Sequence, residues 1–215
     1  WTIAVSICRV GFGPPSKLAN APSALAAISF ALSRNPICQG YCANTPDATV
    51  CIMSNPIVTL SNTESVSVIS IDDGKANALS FDMLEQLNAA LSQAISSEGA
   101  IAIIGREGKF SAGFDLSAMT SSVDNARRLL REGADFALRI FECPLPVVLG
   151  VSGHALAMGG ILTTCADYRV GLAGAFKLGL NEVQIGMPVP RFAVELCRDR
   201  LAHRWFTRSV QHGPY

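Results

Sequence analysis

Two short glycine-bearing stretches hold most of the chemistry that the sequence suggests. Phe110-Ser111-Ala112-Gly113-Phe114-Asp115 comes shortly after an apolar run ending at Ile104, and Gly153-His154-Ala155-Leu156-Ala157-Met158-Gly159-Gly160 follows a second run ending at Val151. If both runs are strands of a parallel sheet, the two stretches lie at strand carboxyl ends, where open α/β folds place ligands. Small residues let a ligand approach the backbone closely. A helix starting near Met158 leaves the N–H groups of its first turn without partners. Two backbone N–H groups converging on one point would stabilise negative charge developing on a carbonyl oxygen, as an oxyanion hole does. Each stretch alone reads as an ordinary turn; the pair is the more specific signal. His154 has no Gly-x-Ser-x-Gly elbow to serve and reads as a polar ring anchoring its turn. Asp115 and Asp167 read as turn-holding acids, with Asp115 also able to line a ligand loop.

The elements that must position these stretches follow from periodicity. Residues 66–71 form a β-rich run ended by the turn signal Asp72-Asp73-Gly74. Ser80 suits the N-cap of a helix in which Leu84, Leu87, Leu91 and Ile95 recur at helical spacing, ending at Glu98-Gly99. Residues 100–104 and 147–151 are continuously apolar, as buried parallel strands are. A loop is expected over 105–115, a second helix from about 122 to 142, a turn over 153–160, and a helix from near Met158 to near Ala166. Short strands are expected over 168–170 and 175–178, and a last helix over 191–200. Strands alternating with long helices imply crossovers and a mainly parallel sheet, hence an α/β fold.

The whole chain has 215 residues, 49% hydrophobic and 16% charged, with mean hydropathy +0.33 and zero formal net charge. That length suffices for one domain with a sizeable core. No apolar run reaches the ~20 residues that span a bilayer, and no overall field would recruit nucleic acid or an anionic membrane. The 7 Cys residues show no CxxC zinc spacing. Cys143, Cys165 and Cys197 read as small core residues, and nothing suggests a disulfide framework, so a reducing compartment is the default. Residues 1–52, which include Cys8, Cys38, Cys42 and Cys51, are rich in Ala, Ser, Pro and Cys, and the first Met is Met53. Three readings of that segment stay open: translated sequence upstream of a start at Met53, a targeting segment, or a structured extension. It is expected to add little to the fold, and the folded domain is placed at 53–215.

Several motifs in order carry a resemblance. Lys75-Ala76-Asn77-Ala78-Leu79-Ser80, the Phe110 stretch through Leu116, Pro146-Val147-Val148, the Gly153 stretch, Cys165-Ala166-Asp167, and Phe176-Lys177-Leu178-Gly179-Leu180-Asn181-Glu182-Val183 followed by Ile185-Gly186-Met187-Pro188 resemble the enoyl-CoA hydratase/isomerase (crotonase) family. The likeness extends from Met53 to about Arg208. It implies a crotonase-like (ClpP/crotonase-type) spiral of ββα units, truncated at the C-terminus, because family members continue into helices that cover the acyl pocket and build trimers. Apolar surface is then expected around Val194 and Leu201. The ligand implied is an acyl-CoA thioester, with coenzyme A as part of the substrate and no separate cofactor or metal. A homotrimer or hexamer is implied for a full-length form.

Matched motif to motif, the family's oxyanion donors fall on the N–H groups of Ala112 and Met158, and Gly113, Phe114, Asp115, Gly159 and Ile161 fall along the substrate. One of the family's two carboxylates matches Glu182, for which the residue alone would equally suggest a solvated helix-start acid. The second carboxylate position holds Ile161. Hydration uses one group to activate water and another to deliver a proton, whereas moving a double bond needs one shuttling base, so an isomerase is preferred over a hydratase. A catalytically weak binding or assembly protein, or an inactive fragment, is the alternative. Arg106 and Lys109 are candidate neighbours for the CoA phosphates. The expected location is cytoplasmic, or mitochondrial or peroxisomal if residues 1–52 are a targeting segment.

Overall fold

The computed structural model describes residues 56–212 apart from Glu64 and Glu98. The expectations for residues 1–52 lie outside the described residues.

The chain winds through repeating strand–strand–helix units. In each, the first strand joins a large sheet, the second joins a small one, and a helix returns the chain. The large sheet has the order β1-β2-β4-β7-β9, built from β1 (Val58–Asn62), β2 (Val66–Ile71), β4 (Ala100–Ile104), β7 (Val147–Val151) and β9 (Tyr168–Gly171). Only the β1–β2 pair is antiparallel. Strands β4 and β7 are buried at every residue, which is why their sequences read as unbroken apolar runs. The second strands are short. β5 (Gly108–Ser111), β8 (Gly153–Leu156) and β10 (Leu178–Gly179) form one small parallel sheet, and β3 (Ala78–Leu79) pairs with β6 (Gly113–Phe114).

Helix α1 (Phe81–Ser96) is capped as expected: the Ser80 hydroxyl accepts from the Met83 N–H. It buries Met83, Leu84, Leu87 and Leu91. Residues 116–141 form two helices, α2 (Leu116–Ser121) and α3 (Val123–Phe141), with Ser122 capping the second. Helix α4 (Met158–Cys165) is buried throughout, and α5 (Arg191–Arg200) packs on it. Helix α6 (His203–His212) was not foreseen. Cys143, Cys165 and Cys197 are buried free thiols. Val194 is half-buried and Leu201 packs against the core edge. The large exposed apolar side chains lie elsewhere, at Leu172, Leu178, Val183, Ile185 and Met187 among others. No helix among the described residues is long and apolar enough to cross a membrane.

Three sequence expectations are corrected. The loop over 105–115 contains β5 and β6, and the turn over 153–160 begins as strand β8. The strand over 175–178 is displaced to Leu178–Gly179. These strands are two to four residues long, and their partners lie tens of residues away. Such segments are too short to show the period-2 pattern that marks a strand.

Candidate active site

Asn77 ties the two glycine-bearing stretches to the rest of the fold. Its side chain is fully buried, and its amide donates to the Ile71 carbonyl at 3.0 Å and to the Phe110 carbonyl at 3.1 Å. Its Oδ1 accepts from the Asp73 N–H, and its own carbonyl accepts from the Ser111 hydroxyl at 2.7 Å. That hydroxyl in turn accepts from the Gly113 N–H. Asn77 holds a left-handed backbone, φ 52°, which Asn tolerates better than most residues. Asn77→Ala should lower stability by about 3 kcal/mol, because it orphans buried partners that each cost roughly 1–3 kcal/mol. A denaturant melt checks this.

Gly113 and Gly159 let the two stretches touch. A Cβ on Gly113 would stand 2.8 Å from the Ala157 Cβ, 3.0 Å from the Leu156 oxygen and 3.1 Å from the Met158 nitrogen, and Gly113 has φ +94°. A Cβ on Gly159 would stand 2.4 Å from the Ser111 oxygen. The Ala112–Gly113 backbone and the start of α4 are therefore neighbours, as the sequence reading requires. Ala157, the residue before α4, sits at φ 50°, ψ −123°. That conformation costs a non-glycine residue on the order of 1–3 kcal/mol, and it fixes how the Ala157–Met158 peptide is turned. Nothing in the sequence marks this strain, because no glycine stands at the position.

The two expected oxyanion donors differ in state. Met158 is buried, and its N–H, at the first position of α4, makes no hydrogen bond among the described residues. The Ala112 N–H donates to the Ala76 carbonyl at 3.0 Å. Ala76, just before Asn77, thus takes up the Ala112 donor, whereas the first-turn N–H at Met158 has no such partner.

Glu182 is not a solvated acid. It begins the short 3₁₀ turn Val183–Ile185, has only 8% of its surface exposed, and its Oε2 has no hydrogen-bond partner. Burial raises its carboxyl pKa above the ordinary value. Its carbonyl accepts from the N–H groups of Ile185 and Met187, which hold the turn. The neighbouring Asn181 Oδ1 is also buried without a partner. Cys197 on α5 is near enough to feel the Glu182 charge: burial first, then that charge, pushes its thiol up to about 11. Burial pushes Cys165 up to about 12. Both thiols are thus protonated at neutral pH and unreactive.

Ile161 is buried on α4, an apolar side chain where a second acid was sought. Asp115 caps α2: its carboxylate accepts from the Ser117 hydroxyl and from the N–H groups of Ser117 and Ala118, and the Ser117 hydroxyl above all holds its pKa below the usual range. Asp167 accepts from the Val147 N–H at the start of β7. His154 Nδ1 accepts from the Lys177 N–H at 3.0 Å, and its ring meets Phe176 edge-on. Only Asp115 acts locally, as a helix cap; Asp167 and His154, read from the sequence as holding turns, instead tie together segments distant in the chain. Arg106 pairs with Asp72 and donates to the Lys75 carbonyl, whereas Lys109 is exposed. No cluster of three or more His, Cys, Asp or Glu side chains among the described residues is arranged to hold a metal ion.

This fold of stacked ββα units is shared with known proteins. The enoyl-CoA hydratase/isomerase family model matches residues 61–213. The chain belongs to the enoyl-CoA hydratase/isomerase family and has the crotonase-like fold. A probable enoyl-CoA hydratase of Bacillus subtilis (strain 168) is 34% identical over 140 residues, which are 63% of this chain and 54% of that protein. The mitochondrial enoyl-CoA delta isomerase 1 of Homo sapiens is 29% identical over 154 residues, 69% of this chain and 51% of that protein. The chain spans about half the length of these curated relatives. Among solved structures, an enoyl-CoA hydratase/isomerase family protein from Pseudomonas syringae is similar at TM-score 0.70 and 42% identity, covering 72% of this chain and 67% of that one. The ligand-free enoyl-CoA isomerase of Mycobacterium tuberculosis is similar at TM-score 0.68 and 41% identity, with coverage of 72% and 67%.

Proposed function

We propose that this protein binds acyl-CoA thioesters and moves a proton beside the thioester carbonyl, with Glu182 as the base. The observation that carries the proposal is a buried carboxylate with an unpartnered oxygen, in a fold where the start of α4 offers the unpaired N–H of Met158. A thioester carbonyl accepting from Met158 has its α-carbon acidified, because the donor stabilises the enolate that forms. The Ala112 N–H joins as second donor once the ligand oxygen displaces the Ala76 carbonyl. Gly113, Phe114 and Gly159 line the approach to the donors, and Asp115 supports it from the cap of α2. Glu182 takes the α-proton and returns it. Coenzyme A is carried by the substrate, and no further cofactor enters.

Isomerisation is the preferred outcome. Ile161 can neither donate nor accept a proton, and an apolar wall holds a water molecule badly. A dry wall also favours a raised carboxyl pKa, which suits a group that takes a proton and gives it back. The test compares isomerisation of a 3-enoyl-CoA with hydration of the matched 2-enoyl-CoA. Isomerisation should be the faster, and faster hydration overturns the preference. A second reading is a thioester-binding protein without turnover. It is favoured by the Ala112 N–H being engaged by Ala76. Tight binding of acetoacetyl-CoA with neither reaction detectable would support it.

A further inference from the structure

The buried face of α3 carries Leu129, Gly133, Phe136, Ala137 and Ile140. Gly133 interrupts an otherwise well-filled surface, and a glycine inside a helix is less favourable than an alanine. Its place is explained by what fills it. A Cβ on Gly133 would stand 2.4 Å from both Cε1 and Cζ of Phe114 and 3.7 Å from Cε of Met158. The Phe114 ring therefore occupies a notch that only glycine provides, alongside the Met158 side chain. Phe114 directly follows Gly113, whose missing Cβ would lie 3.1 Å from the Met158 nitrogen. The ring and the Met158 side chain thus border the same notch, and the residue before Phe114 borders the Met158 nitrogen. Phe114, Ala118 and Met119 pack into the same apolar cluster as Leu129 and Met158. Such a lining suits a hydrocarbon chain, and it would leave the amides and hydroxyls of a pantetheine arm without partners.

We propose that Phe114, seated in the Gly133 notch beside Met158, is the specificity-determining side chain that sets how long an acyl chain the site takes. This rests on the acyl-CoA reading above. The Phe114 backbone is pinned by the pairing of β6 with β3, Leu79 opposite Phe114. A side chain at 133 must therefore move the ring by its own torsions, out of the notch and into the space beside Met158. The acyl space then shortens. Removing the ring lengthens it.

The test measures dissociation constants for butyryl-CoA and dodecanoyl-CoA with the native protein, Gly133→Ala, Phe114→Ala and the double variant. Each excluded methylene is worth about 0.8 kcal/mol, roughly a fourfold change in affinity. Gly133→Ala should therefore weaken dodecanoyl-CoA at least about tenfold more than butyryl-CoA, and Phe114→Ala should keep or strengthen it. The double variant should behave as Phe114→Ala. Thermal midpoints give an independent readout: Gly133→Ala should lower the midpoint when Phe114 is present. It should raise the midpoint when Phe114 is absent, because alanine is then simply the better helix former. Equal weakening of both ligands, or the same Gly133→Ala effect with and without Phe114, overturns the proposal. If the native protein binds butyryl-CoA but no variant changes the length preference, this inference alone falls. If the native protein binds neither thioester, the acyl-CoA reading falls and this one with it.

Discussion

Glu182→Gln should cut turnover by about 10²–10⁴-fold, the usual contribution of a positioned general base, while affinity for acetoacetyl-CoA changes little. Glutamine keeps the shape and an acceptor oxygen but cannot take a proton. The same substitution should change stability in a pH-dependent way. Burial raises the Glu182 pKa in the folded state, so the folded protein holds this proton more tightly than the unfolded chain. The resulting stabilisation is complete below the unfolded pKa and is lost as pH rises through the raised folded value. Above that raised value the native protein carries an ionised, buried and partly unpartnered carboxylate. Glu182→Gln should therefore raise the thermal midpoint at pH above it and leave the midpoint nearly unchanged in acid. Native turnover should in turn rise with pH through an apparent pKa above the ordinary carboxylate range. Melting curves at two pH values and a pH–rate profile check both signs. A variant less stable than the native protein above the pKa read from the pH–rate profile would show that Glu182 has a compensating partner.

Gly113→Ala has the second large expected effect. The residue sits at φ +94°, where a side chain is strained, and its Cβ would meet three atoms of the Leu156–Met158 turn at 2.8 to 3.1 Å. Strain and overpacking together cost about 2–5 kcal/mol, a large part of the roughly 5–15 kcal/mol that holds a domain folded. The clash pushes Ala112 away from Met158, so the two proposed donors should no longer reach one oxygen. Thioester affinity should fall more than about tenfold even in the fraction that stays folded, and turnover further still, as losing a fixed oxyanion donor costs about 3 kcal/mol of transition-state stabilisation. Titration at a temperature below the variant's melting point separates the two effects. Unchanged affinity would mean that the meeting of these stretches serves packing only.

The legibility of the fold followed the length of its elements. β2, β4 and β7 were read to the residue, because each is a five- or six-residue run dominated by apolar and β-branched side chains. The Ser80 cap was legible because Ser and the following leucines report the helix locally. Strands β5, β6, β8 and β10 were not, since their order comes from distant partners rather than from their own pattern. The site was legible mainly through its small residues. Gly113 and Gly159 stand where contact leaves no room for a side chain. Asn77 was visible in a motif, but its role as the knot joining Ile71, Phe110 and Ser111 depends on folding. Two features left no trace. Ala157 adopts its strained backbone without a glycine, and the Ala76 carbonyl reaches Ala112 across a gap of more than thirty residues. The burial of Glu182 likewise arises from the packing around it, in a stretch where Val183, Ile185 and Met187 themselves remain exposed.

The central claim is proton transfer at the carbon next to a thioester carbonyl, and hydrogen exchange measures it without reference to the final product. The native protein is incubated with butyryl-CoA in deuterated water, and loss of the α-hydrogen signal is followed by NMR. Exchange well above the uncatalysed rate is predicted, lost in Glu182→Gln and retained in Cys197→Ser. A native protein that binds butyryl-CoA without exchanging its α-hydrogens, or a Glu182→Gln variant that exchanges them at the native rate, would contradict the account.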